Sequence, residues 1–303
     1  MVASCPILQS PIVHSEIDTA QGRWNSAWWV PPPASPLAGA VELIWHFDGC
    51  LAQARERVFP GGTVELILQF EGRYQDIVGE RSVVTPRSCV TGVHSRAFVV
   101  QAPSSRVCVL GLRLRPLAAQ AVLAHPLHEA TDLTLDLDDV LRDAAAMLGE
   151  RCQDAPDAET RIRLAARWLA GRLQAAASVD AGLRWMLAQM EAGHGGNGIE
   201  ALREQAGYSR NALQAAFRHH VGVSPKHYAR LLRFRYLLER LRDPLPASQG
   251  GKPLSLAELA LAAGYYDQSH MNMEFRAFSG LTPREFLAAS HYPGSTSIAE
   301  DTA

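Results

Sequence analysis

Residues 199–228 and 256–286 repeat one pattern. The first stretch reads IEALREQAGYSRNALQAAFRHHVGVSPKHY and the second LAELALAAGYYDQSHMNMEFRAFSGLTPREF. Each holds a short helical segment closing on Ala-Gly-Tyr, a polar start to a second helix, and a Phe about one helix later. Each then ends in Gly-x-Ser/Thr-Pro with an aromatic three positions past the proline. An internal repeat of this detail constrains the fold more than either match alone, because each copy must be the same supersecondary unit.

The shared residues have distinct physical jobs. Gly207 and Gly264 suit the left-handed backbone that ends one helix tightly and leads into another. Ser209 is placed to cap the second helix of the first unit, and Asp267 or Ser269 that of the second. Leu213 and Phe217, four apart, face a core with Leu202 and Ala206; Met271 and Phe275 do the same against Leu259 and Ala263. Ser224-Pro225 and Thr282-Pro283 each pair a capping hydroxyl with a proline at the first helical position, so a further helix follows each unit.

Between the units lies ARLLRFRYLLERLR, whose leucines and Phe234 can be buried while Arg230, Arg233, Arg240 and Arg242 reach phosphates or make internal ion pairs. The formal net charge of -2 conceals this concentration: residues 196–292 sum to +4 and the remainder to -6. A basic reading surface on a weakly acidic protein is therefore expected.

Residues 1–115 read differently. Short apolar runs such as AVELIWHF, TVELILQF, SRAFVVQAP and RVCVLGLRL are punctuated by proline and glycine, with no helical stretch between them long enough for parallel crossovers. Val64, Leu66 and Leu68 alternate with Thr63 and Glu65 until Ile67 breaks the rhythm. From about Pro116 the period becomes helical. The expected fold is multidomain α+β. It comprises a β-rich sandwich or barrel-like regulatory domain (1–115), a helical connector or dimerisation region (116–193), an all-α domain of two helix-turn-helix subdomains (194–292) and a flexible tail (293–303).

At these residues the chain resembles the AraC/XylS family of transcription regulators. The resemblance is to those members whose β-rich region departs from the arabinose-type sensor and carries a WxFxG…FPxGxxELIF-like pattern, here Trp45-His46-Phe47-Asp48-Gly49 and Phe59-Pro60-Gly61-Gly62-Thr63-Val64-Glu65-Leu66-Ile67-Leu68. The resemblance implies two helix-turn-helix subdomains bridged by one long helix, residues 225 to about 242, with the second helix of each subdomain in successive major grooves. Carried over by motif, the base-reading candidates are Arg210, Asn211, Gln214 and Ala215 on a helix from about Ser209 to His220. On a second helix from Gln268 to about Phe278 they are Gln268, Ser269, His270, Asn272 and Met273. Asn and Gln pair bidentately with adenine, Arg with guanine. Many relatives have a basic residue where Ala215 and Met273 stand. Arg218, Lys226, Arg230, Arg233 and Arg276 are the phosphate-contact candidates. The two glycines are 57 residues apart, more than is usual in the family, and the surplus falls in a Pro/Gly/Ser insertion at 243–253.

A β-rich region beside such a module suggests ligand sensing, with Trp28, Trp45, Phe47, Phe59 and Phe70 as effector-pocket candidates. Core packing is the competing assignment for each, as an exposed strand face is for Glu42 and Glu65. His46 and His94 lack the clustered His-x-His and following Glu of a metal-bearing β-helix, so no metal and no cofactor is expected. The five cysteines have no zinc-type spacing. Among Cys50, Cys89 and Cys108, Cys89 is preferred as a reactive thiol because Arg87 is close in sequence. The chain has no Walker, G-x-S-x-G or His-Glu-x-x-His motif, and no catalytic residue is assigned. The beginning of the chain has no signal-peptide pattern and no apolar run of membrane-spanning length occurs, so a cytoplasmic protein without a membrane partner is expected.

The combined expectation is a sequence-specific, duplex-DNA-binding transcription regulator, an activator or a repressor and not an enzyme. A small-molecule effector, RNA polymerase and a second copy of the chain are its other candidate partners. The alternatives are a protein-interaction module with reduced DNA recognition, or a cysteine-based sensor or transferase.

Overall fold

Strand alternation organises the first half of the chain. In the computed structural model, which describes residues 10–19, 22–52, 55–176, 179–242, 255–289 and 297–299, ten strands precede the first helix. They are β1 (Val13–Thr19), β2 (Gly22–Trp29), β3 (Val41–Leu51), β4 (Arg55–Val58), β5 (Val64–Glu71), β6 (Gln75–Val78), β7 (Arg81–Val84), β8 (Ser88–Thr91), β9 (Phe98–Gln101) and β10 (Val107–Leu114). Two more come later, β11 (Thr134–Asp136) and β12 (Ser297–Ala299). They form a seven-stranded sheet ordered β1-β2-β3-β10-β5-β8-β11 and a five-stranded sheet ordered β12-β4-β9-β6-β7. The strand pairs are antiparallel.

Side-chain parity gives the larger sheet two different faces. Ala27, Trp29, Ile44, Val64, Leu66, Leu68, Leu110 and Leu112 are buried and share one core cluster with the helices of the connector. These helices are α1 (Pro116–Leu123), α2 (Leu137–Leu141), α3 (Asp143–Gln153), α4 (Ala158–Ala175) and α5 (Ala181–Ala192). α4 crosses β2, β3 and β10, and its buried stripe, Ile162, Ala165, Ala166 and Leu169, has the three-and-four spacing of an amphipathic helix. The opposite face of the sheet looks toward the smaller sheet. Ile67 does not break the alternation after all: it belongs to this second face, and Val64, Leu66 and Leu68 to the first.

Two boundaries differ from the sequence expectation. The sheet reaches past residue 115, because Thr134, Leu135 and Asp136 pair with Thr91, Val90 and Cys89. Part of the tail expected to be loose is a strand: Ser297, Ile298 and Ala299 are buried and pair with Val58, Arg57 and Glu56. Neither partnership is local, so neither carries a signal in the surrounding residues. The 243–253 insertion lies outside the described residues.

The last third is helical: α6 (Ile199–Gln205), α7 (Arg210–His220), α8 (Pro225–Arg242), α9 (Leu256–Ala262), α10 (Gln268–Ser279) and α11 (Pro283–Ala288). α8 rests on the corner between β4 and β5. Phe59 meets Phe234 and Phe286 edge-on, with ring centroids 6.4 and 5.5 Å apart. Arg235 donates to Glu42 at 2.8 Å and to the Gly61 carbonyl at 3.3 Å. Gly62 has φ +73°, and a β-carbon there would lie 3.1 Å from the Tyr228 ring. The Phe-Pro-Gly-Gly motif is thus the seat of the long helix, which explains its residue types: a ring to fill the corner and a glycine where the helix comes close. Glu42, offered above as an exposed-face residue, is instead held by Arg235.

Candidate nucleic-acid interface

Each repeated unit is built as its residues require. Gly207 and Gly264 have φ +75° and +78°, and each follows a short helix whose Leu202 or Leu259 is buried. Ser209 accepts from the Ala212 amide at 3.2 Å. In the second unit Asp267, not Ser269, caps the helix, accepting from the His270 amide at 2.7 Å. Ser224 accepts from the His227 amide at 3.2 Å, and Thr282 forms a reciprocal capping box with Glu285. Leu213 and Phe217, and Met271 and Phe275, are buried as pairs.

Anchoring one face of α7 leaves the other open. Arg210, Asn211, Gln214 and Ala215 are exposed, as are Arg218 in the last turn and Lys226 at the start of α8. Arg210 lies 3.3 Å from Glu200, an exposed pair of little energetic weight. On α10, Ser269, Met273 and Arg276 are exposed, whereas Gln268, His270 and Asn272 are half-buried. His270 packs edge-on against Tyr265, and the Asn272 Oδ1 is buried without a hydrogen-bond partner among the described residues. Tyr266, Met273, Leu261 and Leu287 give this second unit exposed apolar surface.

Two phosphate-contact candidates are engaged elsewhere. Arg230 donates from Nε to Glu274 Oε1 at 2.5 Å, and Arg233 lies 3.9 Å from Glu274 Oε2 while donating to the Gly195 carbonyl at 3.4 Å. Arg230 also sits over the Phe278 ring and Arg233 over that of Tyr265. Glu274 is buried, so both arginines serve the joint between α8 and α10 in this structure. The sequence shows the arginines but not the carboxylate 44 positions away.

The effector-pocket candidates divide by parity. Trp28, Trp45 and Phe47 line a cavity of about 410 Å³ between the two sheets. Phe59 and Phe70 do not: Phe59 lies beneath α8, and Phe70 lies under the Arg161 guanidinium at 4.5 Å, beside a smaller hollow of about 240 Å³. Trp24, Tyr74 and Phe98 complete the aromatic wall of the larger cavity, and Glu56, Glu65 and Asp76 bring carboxyls to it. The sequence reading missed Glu56 and Asp76, which stand in short strands with no distinguishing motif. Glu65, offered as an exposed-face residue, lines this cavity and accepts from Trp45 Nε1 and Arg113 Nε, each at 3.0 Å.

The cysteine alternative loses its preferred residue. Cys89 is buried, and burial first, then nearby carboxylates, push its thiol up to about 12. Arg161, not Arg87, is the guanidinium that meets a thiol: its Nη1 donates to Cys108 Sγ at 3.1 Å and to His46 Nε2 at 2.9 Å. Burial also raises the Cys108 thiol. Among the described residues no three His, Cys, Asp or Glu side chains gather as metal ligands, and no helix is long and apolar enough to cross a membrane.

Residues 202–289 match the model of a family described as a helix-turn-helix domain. This region is a helix-turn-helix domain. Its two units on one long helix are the architecture that the AraC/XylS resemblance implies. Residues 30–136 match a second family, described as Domain of unknown function (DUF6597). The chain is similar over most of its length to ToxT from Vibrio cholerae, at 10% identity, with 81% of this chain and 97% of ToxT covered and a TM-score of 0.46. ToxT bound to an unsaturated fatty acid aligns at 12% identity, over 80% of this chain and 93% of that one, with a TM-score of 0.44. The AraC-like transcriptional activator CuxR aligns at 15% identity, over 75% and 86%, with a TM-score of 0.30. Likenesses this distant carry no argument about ligand or activity. No curated protein matches the chain.

Proposed function

We propose that the protein is a transcription regulator that binds duplex DNA sequence-specifically, with α7 and α10 in the major groove, and that the sandwich cavity holds a small-molecule effector. The observation carrying the first part is the pair of capped helices, each fixed by buried Leu213 and Phe217 or Met271 and Phe275 and each presenting polar residues outward. Asn211 and Gln214 are the base readers of the first unit, joined by Arg210 for guanine or phosphate. Ser269, with half-buried Gln268 and His270, serves the second, and Arg218, Lys226 and Arg276 hold phosphates. In this reading the protein works in the cytoplasm, with RNA polymerase and a second copy of the chain as protein partners.

The exposed side chains of Tyr266, Met273, Leu261 and Leu287 favour a second reading for the second unit, in which it binds a protein and the first unit alone reads bases. Selection of duplexes from a random pool by the full chain decides between them. Two conserved half-sites one helical turn apart are the expected result. One short site supports the second reading, and no enrichment or binding at low salt overturns both.

A further inference from the structure

The cavity between the sheets has a specific chemical character. Six aromatic side chains stand in its wall, Trp24, Trp28, Trp45, Phe47, Tyr74 and Phe98, contributed by three strands and the β5–β6 connection. Trp28 and Trp45 are direct cross-strand neighbours, and Trp24 and Phe47 lie 5.8 Å apart in a tilted pair. Aromatic faces are negative in the centre and attract cations, most strongly when water is excluded.

The charges lining the cavity point the same way. Among the described residues Arg113 is its one arginine, and it is held by Glu65 at 2.8 Å, so this pair is neutral as a unit. Two carboxyls remain, Glu56 on β4 and Asp76 on β6. Glu56 accepts from Ser297 Oγ at 2.7 Å and Asp76 has a hydrogen bond with Thr134. Among the described residues no Arg or Lys pairs with either. Burial pushes both carboxyls above the usual carboxylate range, so each ionises fully only when a cation stands beside it.

We infer that this cavity binds an organic cation, an aromatic or alkyl amine or quaternary ammonium, whose charge is met by Glu56 and Asp76 and whose apolar part stacks within the tryptophan wall. The inference rests on the reading of the cavity as the effector site and deepens it by naming the ligand's class. A carboxylic acid of the same size would face two unpaired carboxyls with no free guanidinium to receive it. An uncharged ligand gains no ion pair from either carboxyl.

The full chain is titrated with benzyltrimethylammonium, with its uncharged carbon isostere neopentylbenzene, and with the anion 4-phenylbutyrate, following tryptophan fluorescence and heat. The cation is expected to bind saturably, at least tenfold more tightly than either comparison compound. Glu56→Gln and Asp76→Asn are each expected to weaken it tenfold or more while leaving the unfolding midpoint of the free protein in place or raised. These residues stand on different strands, so one variant remains informative if the other fails to fold. Equal or tighter binding of the isostere or the anion, no binding of any probe, or undiminished cation binding by the variants overturns the inference. Duplex affinity measured in the same samples separates the two readings. Cation binding that leaves duplex affinity unmoved keeps the ligand class and removes the effector role; anion binding that shifts duplex affinity does the reverse.

Discussion

Arg230 of the long helix and Glu274 of the second reading helix are joined by a 2.5 Å hydrogen bond from guanidinium to buried carboxylate. Removing the carboxylate strands Arg230 and Arg233 together, and breaking a buried pair from one side costs about 3 kcal/mol. Glu274→Ala should lower the denaturant midpoint accordingly. Arg230→Ala should also weaken duplex binding, but without changing its dependence on salt. A salt slope reduced by Arg230→Ala would mean that the arginine reaches phosphate.

Arg218 and Arg276 should behave in the opposite way. Both are exposed, and loss of a phosphate contact reduces the slope of log affinity against log salt by about 1. Each alanine variant is therefore expected to lose affinity for all duplexes equally, with an unchanged denaturant midpoint.

Asn211 and Gln214 carry the sequence preference of the first unit. Their alanine variants should lose about 1–3 kcal/mol of discrimination at one or two base pairs while keeping non-specific binding. Selection from a random duplex pool reads this directly, and an unaltered preference would place base reading elsewhere.

Acid should destabilise the fold through two buried imidazoles. The pKa values of His46 and His94 are lowered to about 4, by burial in both cases and by Arg161 in the first. Below pH 6.5 the unfolded chain takes up these protons and the folded chain does not. Their contribution is thus complete above pH 6.5, falls as pH drops, and is lost below pH 4, at up to about 1.4 kcal/mol per pH unit for each histidine. Urea midpoints at pH 7 and pH 5 test this, and His46→Gln should about halve the difference, leaving the share of His94. Equal midpoints for the native chain would show that the imidazoles are not the cause.

Thiol chemistry should follow exposure. Iodoacetamide at pH 8 is expected to modify Cys50, which is exposed, and to spare Cys89 and Cys152, whose thiols are buried and pushed up to about 12 and about 11. Peptide mass mapping before and after denaturation distinguishes the sites, and early labelling of Cys89 would contradict its burial.

What the sequence made legible was local. Gly207, Ser209, Gly264 and Thr282 each act within a few residues of themselves, so a repeated pattern was enough to place α6 to α11 and the bounds of α8. Distant pairing was not legible. The residues of β4 do not announce that Ser297 will lie beside them, and the arginines of α8 look the same whether they meet phosphate or Glu274. Phe59 and Phe70 lie outside the cavity for the same reason. Phe47 and Phe70 are alike in composition, and only the parity of their strands sends one into the cavity and the other under Arg161.

The segment from Glu56 to Gly62 connects these two halves of the molecule. Glu56 and Val58 face the cavity, Phe59 touches Phe234 and Phe286, and Gly62 lies against Tyr228. Strand side chains change face with every residue. Single substitutions here can alter ligand or helix contacts separately, but inserting or deleting one residue would rotate the carboxyl out of the cavity or carry the ring off the helix. Descendants of this chain can therefore vary the chemistry of the segment while its length stays fixed.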